Sequence, residues 1–103
     1  MLKDGDMKVK RFEFLFNWKI SAEMLVRVIR EFVPALRWLQ VLDFSYTNFD
    51  DLCAVALGEV IMNGACRFLE VLRIDGCCVS EVGIAEILKA KCICSLPEVY
   101  FMR

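Results

Sequence analysis

Leu39-Gln-Val-Leu42-Asp-Phe44 and Leu69-Glu-Val-Leu72-Arg-Ile74 share one frame, L-x-V-L-x-apolar, and begin 30 residues apart. The same apolar frame recurs 30 residues upstream as Val9-Lys-Arg-Phe12-Glu-Phe14 and 27 downstream as Leu96-Pro-Glu-Val99-Tyr-Phe101. A fixed period of this size marks an internal repeat, each copy being one supersecondary unit. Apolar residues alternating with polar ones inside each copy predict a short strand with one buried face.

Two residues of turn character follow each of the first three copies, and then a segment with helical period. Ser21 is the expected N-cap of the first helix, with Met24, Leu25, Val28, Ile29 and Phe32 on one apolar stripe and Arg27, Arg30 and Glu31 opposite. Pro34 marks its exit. Asp50 or Asp51 caps the second helix, which carries Leu52, Val55, Ala56, Val60 and Ile61 and ends near Asn63-Gly64. Ser80 caps the third, Glu81 sits in its first turn, Ile84, Ile87 and Leu88 face inward, and Lys89 and Lys91 favour its C-terminus. The order is β-α-β-α-β-α-β, which short links and right-handed crossovers turn into a parallel sheet. A regular period favours a stacked solenoid over a doubly wound sheet. Residues 1–8 read as a charged tail and 9–103 as one domain with units starting near 9, 39, 69 and 96.

Composition narrows the function. The chain has 103 residues, 13 Lys+Arg against 14 Asp+Glu, no His, and 58% apolar residues. A net charge of −1 argues against a nucleic-acid binder, which carries a basic excess. The lack of His removes the commonest general base and metal ligand. The most apolar stretch, Leu52–Met62, is interrupted by Glu59 and falls short of the ~20 residues of a membrane span. The N-terminus has charges of both signs and no apolar run, so it does not read as a secretory signal. Cys53, Cys66, Cys77, Cys78, Cys92 and Cys94 contain no Cys-x-x-Cys pair, which disfavours a zinc or thioredoxin-like site. They read as reduced thiols of a cytosolic or organellar protein, used as small buried hydrophobes. Asp43 and Asp75 have Arg73 between them and no partner base, and no phosphate-binding glycine motif occurs, so no enzyme and no cofactor are expected.

Leu69, Leu72, Ile74, Cys77 and Val79 fit L-x-x-L-x-L-x-x-(N/C)-x-L, and Ser80-Glu-Val-Gly83-Ile84-Ala-Glu-Ile87-Leu88 continues it. On these residues the chain resembles leucine-rich repeat proteins of the ribonuclease-inhibitor-like class, with the cysteine-containing repeats of substrate receptors in F-box ubiquitin ligases. No F-box precedes the repeats. Leu39, Leu42, Phe44, Thr47 and Phe49 fit with Thr47 at the Asn/Cys position and Cys53 at the Gly; Val9, Phe12, Phe14 and Asn17 fit more loosely. The resemblance implies an α/β leucine-rich repeat solenoid with four parallel strands on the concave side and three helices on the convex side. Asn17, Thr47 and Cys77 would form a ladder satisfying turn backbone groups. Cys66 aligns with Leu36 and Ile93, which points to the core.

With Leu39, Leu42 and Phe44 turned inward, the outward strand positions share the other face. The candidate partner-binding residues are Arg11, Glu13, Val41, Asp43, Val71, Arg73, Asp75, Glu98, Tyr100 and Met102, with Leu15 and Ser45 completing the rows. Mixed charge with Val, Tyr and Met suits recognition of a protein. Trp18 and Trp38 fit equally as interface anchors or core. The expected function is therefore a non-enzymatic protein-interaction module with a protein partner, no nucleic acid and no membrane span. The alternatives are a structural subunit of a larger complex, or a fragment of a longer repeat protein. In those, a neighbouring subunit or further repeats would cover the last strand, Leu96, Val99 and Phe101.

Overall fold

The computed structural model describes residues 9–13, 19–93 and 98–100, with side chains for all of these except 91–93 and 98. Its strands are β1 (Arg11–Glu13), β2 (Val41–Asp43), β3 (Val71–Arg73) and β4 (Glu98–Tyr100); its helices are α1 (Ala22–Arg27), α2 (Asp51–Met62) and α3 (Glu81–Ile93). The four strands form one parallel sheet in sequence order. Arg11, Val41, Val71 and Glu98 stand in one row, so the sequence period is also the spatial register. Pairing runs past the three-residue strands: Phe44 N–H donates to Arg73 O at 2.9 Å, Tyr46 N–H to Asp75 O and Ile74 N–H to Tyr100 O, both at 2.7 Å.

Strand alternation sends Leu42 and Leu72 into a core with Leu39, Phe44, Leu69 and Ile74, and Phe12 and Val99 pack against it. Helices supply Leu25, Ile29, Leu57, Ile61 and Ile87 from the other side. The described residues make a small α/β domain with a four-strand parallel sheet and three helices. A solenoid as such is not shown, because three crossovers over one sheet do not by themselves set a superhelix.

Helix α2 explains much of the apolar excess. Flanked by α1 and α3, it buries Cys53, Ala54, Ala56, Leu57, Gly58, Val60 and Ile61. A helix enclosed on several sides is apolar nearly all round rather than along one stripe. Leu52, expected inward, is instead 70% exposed. Leu88 is also exposed, leaving Ile87 and the half-buried Ile84 as the inward pair of α3.

The first helix departs from its expected stripe. Ser21 Oγ caps it, accepting from Met24 N–H at 3.2 Å. Beyond Arg27 the backbone opens into a π-helical turn, Val28–Phe32, in which Val33 N–H reaches Val28 O. A 3-10 turn, Val33–Ala35, then holds Pro34. The buried line is therefore Leu25, Ile29 and Val33, while Met24 and Phe32 are exposed. Phe32 meets Phe12 with ring centroids 5.3 Å apart.

Polar groups stitch neighbouring units together. Thr47 Oγ1 donates to Phe44 O at 2.6 Å, and the Cys77 thiol donates to the same carbonyl at 3.0 Å. Phe49 N–H returns to Thr47 Oγ1 at 3.3 Å. These bonds satisfy turn groups that the stacking shuts away from water. Burial pushes the Cys77 thiol above its ordinary range and that of Cys53 up to about 12, so both are protonated packing groups at neutral pH. Cys66 is buried as well, with φ 57° at the start of a turn. Asn17 lies outside the described residues.

The two aspartates at the start of α2 divide their work. Asp50 is the cap, its Oδ1 accepting from Cys53 N–H at 3.1 Å. Asp51 reaches across to the next helix, accepting from Ser80 N–H at 2.7 Å and from the Ser80 hydroxyl at 2.5 Å. These bonds lower the Asp51 pKa below the ordinary carboxylate value. A Cβ on Gly83 would strike Asp51 Oδ1 and Val79, so only glycine lets α3 approach this carboxylate.

Candidate functional site

The outward strand residues do share the face opposite the helices, but they are not equally open. Arg11, Glu13, Arg73 and Tyr100 are exposed, and Val41 and Val71 are half-buried. Asp43 and Asp75 are buried, at 5% and 7% exposure. The Glu98 side chain and all of Met102 lie outside the described residues, as do Leu15 and Trp18.

The charges on this face are matched within it. Register places Glu13, Asp43, Arg73 and Tyr100 side by side. Arg73 nevertheless pairs with Asp75, two residues ahead, at 2.7 Å rather than with its cross-strand neighbour Asp43. Its guanidinium lies 4.7 Å from the centroid of the Tyr100 ring. Asp75 raises the Arg73 pKa, with smaller contributions from Asp43 and Tyr100. Asp43 turns back to accept from Ser45 N–H at 2.9 Å, and Ser45 Oγ accepts from Asp75 N–H at 3.2 Å. Arg11 and Glu13 pair at 3.1 Å. The face thus presents a fixed Arg73–Tyr100 feature, backed by buried carboxylates and flanked by Val41 and Val71. Cation–π contact and the Asp75 bridge hold Arg73 in one pose, so a partner meets an ordered surface.

Just beyond the face, Tyr46 and Gly76 occupy equivalent turn positions, both in the left-handed region, with φ 59° and 65°. The Tyr46 ring lies directly over Gly76, in the space a Cβ there would need. A non-glycine residue with positive φ is costly, and this overlay ties the half-exposed Tyr46 to the sheet face.

Among the described residues no cluster of His, Cys, Asp and Glu can hold a metal ion. Cys53, Cys66, Cys77 and Cys78 are free thiols. No helix among the described residues is long and apolar enough to cross a membrane.

A second cluster was only half legible in the sequence. Leu36-Arg37-Trp38-Leu39 and Cys66-Arg67-Phe68-Leu69 are equivalent turns leading into β2 and β3, closed by Leu39 N–H to Leu36 O at 3.2 Å and Leu69 N–H to Cys66 O at 3.1 Å. Trp38 and Phe68 stack with centroids 5.2 Å apart and planes 14° from parallel. Trp38 is 39% exposed and Phe68 51%, so Trp38 is not core. The Arg-aromatic-Leu repetition at the 30-residue period is the signal that marks this pair.

The class that fold and face define is a small parallel α/β domain with an ordered, mixed-charge sheet surface. No family model matches the chain, and no curated protein matches it. Among solved structures it is similar to one titled "Leiomodin-1 Actin-Binding Site 2 (ABS2)", with a TM-score of 0.84 and 22% identity. The match covers 95% of this chain and 56% of that one. At that identity the likeness establishes the fold. It also corrects the family expectation: the neighbour is an actin-binding site, and the assignment to ribonuclease-inhibitor-like leucine-rich repeat proteins, with its ligase-receptor class, does not stand. The spacing that carried it has a more general cause. Inward strand positions must be apolar in any such unit, Cys77 fills a turn carbonyl, and Gly83 is required by the Asp51 contact.

Proposed function

We propose that this chain is a non-enzymatic protein-interaction domain that binds a protein partner through the sheet face opposite the helices. The observation that carries the reading is the Arg73–Tyr100 feature, held by Asp75 and set between Val41 and Val71. Arg and Tyr are the side chains that most often anchor interfaces, and preorganisation removes part of the ordering cost of binding. The candidate contact residues remain Arg11, Glu13, Val41, Val71, Arg73, Glu98, Tyr100 and Met102, with Asp43 and Asp75 acting from behind as positioning groups. The name of the similar structure supports a protein ligand and makes actin the first partner to test. The constant 30-residue offset supports reading the unit as a short stacked array, and reduced thiols suit an intracellular setting.

The test is capture of purified actin by the immobilised chain, with the Arg73→Glu plus Tyr100→Ala variant beside it. Binding that the variant loses while its circular dichroism stays unchanged supports both the face and the partner. Binding that the variant retains overturns the face. No binding of actin removes that partner and moves the same comparison to proteins captured from cell extract. One observation favours a second reading, a subunit built into a larger assembly. Phe12, Met24, Val28 and Phe32 line an open apolar hollow of about 640 Å³ at the β1 end of the domain. Surface of this kind marks contact sites.

A further inference from the structure

We propose that the turn edge carrying Trp38 and Phe68 is a second docking site, for an extended acidic segment of a partner protein bearing an apolar anchor residue. The stacked pair stands between two shallow hollows. The larger, about 380 Å³, is bordered by Arg37 and Arg67 with Pro34 and Gly64. The smaller, about 360 Å³, is bordered by Lys10 and Gln40. Three cations and no carboxylate line the two hollows. Among the described residues neither arginine makes an ion pair. In a chain of net charge −1 this is a local inversion of sign.

Charge complementarity selects the occupant. Arginine forks recognise carboxylates bidentately, and an exposed aromatic pair gives an apolar side chain a flat seat. Two equivalent turns repeat the same Arg-aromatic step, so carboxylates along an extended peptide can meet Arg37 and Arg67 in succession. A single-stranded nucleic acid would also use stacking and cations. Three cations on an acidic chain are a weak electrostatic footprint for a polyphosphate, which favours the peptide. This edge lies at the entry to β2 and β3, and its residues are separate from the sheet-face set.

The experiment measures fluorescence anisotropy of a labelled Asp/Glu-rich peptide containing Leu and Phe, using the full chain. The peptide with Asn and Gln in place of the acids and a labelled oligouridylate serve as comparisons. The acidic peptide should bind, and Arg37→Glu plus Arg67→Glu should weaken it by about tenfold or more. Trp38→Ala and the amide peptide should each lose several-fold, and added salt should weaken the acidic peptide selectively. Arg73→Glu should leave it unchanged, which separates this site from the sheet-face reading. Because all three substituted positions are exposed, circular dichroism should show the variants folded. No binding, equal binding of acid and amide peptides, or tighter binding of oligouridylate would overturn the proposal.

Discussion

The sheet face and the turn edge use charge in opposite ways. On the face, Arg73 is bridged to Asp75 and laid against Tyr100, Arg11 holds Glu13, and Asp43 is spent on the Ser45 amide. At the edge, Arg37 and Arg67 flank two stacked rings, and no carboxylate lines the hollows beside them. A face with its charges already matched selects a partner by shape and by a fixed anchor. An edge of unmatched cations draws in the opposite sign and sets encounter rate and salt sensitivity. The two surfaces are built from the same period, 30 residues apart in each case. The difference lies in which positions of the unit received acids.

The strongest way to break the comparison is to remove what both surfaces rest on. Phe44 is fully buried and its ring meets Phe49 at 5.2 Å. Phe44→Ala should cost ~3–5 kcal/mol, read as a lower chemical-denaturation midpoint, with both surfaces lost together. A smaller effect is expected at the border of the face. Gly76→Ala places a Cβ against the Tyr46 ring at φ 65°. It should cost ~1–2 kcal/mol for the left-handed backbone and disturb the face more than the turn edge, as seen in amide hydrogen exchange.

The next effect depends on pH. The Asp51 carboxylate, bonded to Ser80, has its pKa lowered from 3.8 in the folded chain. A depressed folded pKa means that this contribution is fully present above the unfolded value and is lost as pH falls through the folded one. Asp51→Asn should therefore be less stable than the parent chain at neutral pH, and the gap should close as pH drops below about 4. Neither surface contains Asp51, so binding at neutral pH should be unchanged where the variant remains folded.

The parallel sheet and its register were legible because each strand buries one face, and a single frame, Leu39 to Phe44, repeats with little drift at Leu69. Capping by Ser21 and Asp50 was legible for the same local reason: a short polar side chain stands directly before an apolar run. Other features depend on neighbours that no period displays. The exposure of Leu52 follows from how α2 sits between two helices, and that of Phe32 from a π-helical turn that shifts the inward line to Val33. The candidate face was drawn from alternation alone, which cannot distinguish Arg73 from Asp75. One side chain is exposed and the other is folded back as its support. The Trp38–Phe68 pair required matching the residue before each frame rather than within it.

The most direct measurement of the central claim is partner capture by the parent chain beside Arg73→Glu plus Tyr100→Ala. Both residues are exposed, so the substitutions should alter stability by no more than ~1 kcal/mol. Loss of capture with the thermal midpoint nearly unchanged is the predicted result. Undiminished capture by the folded double variant would contradict the assignment of binding to the sheet face.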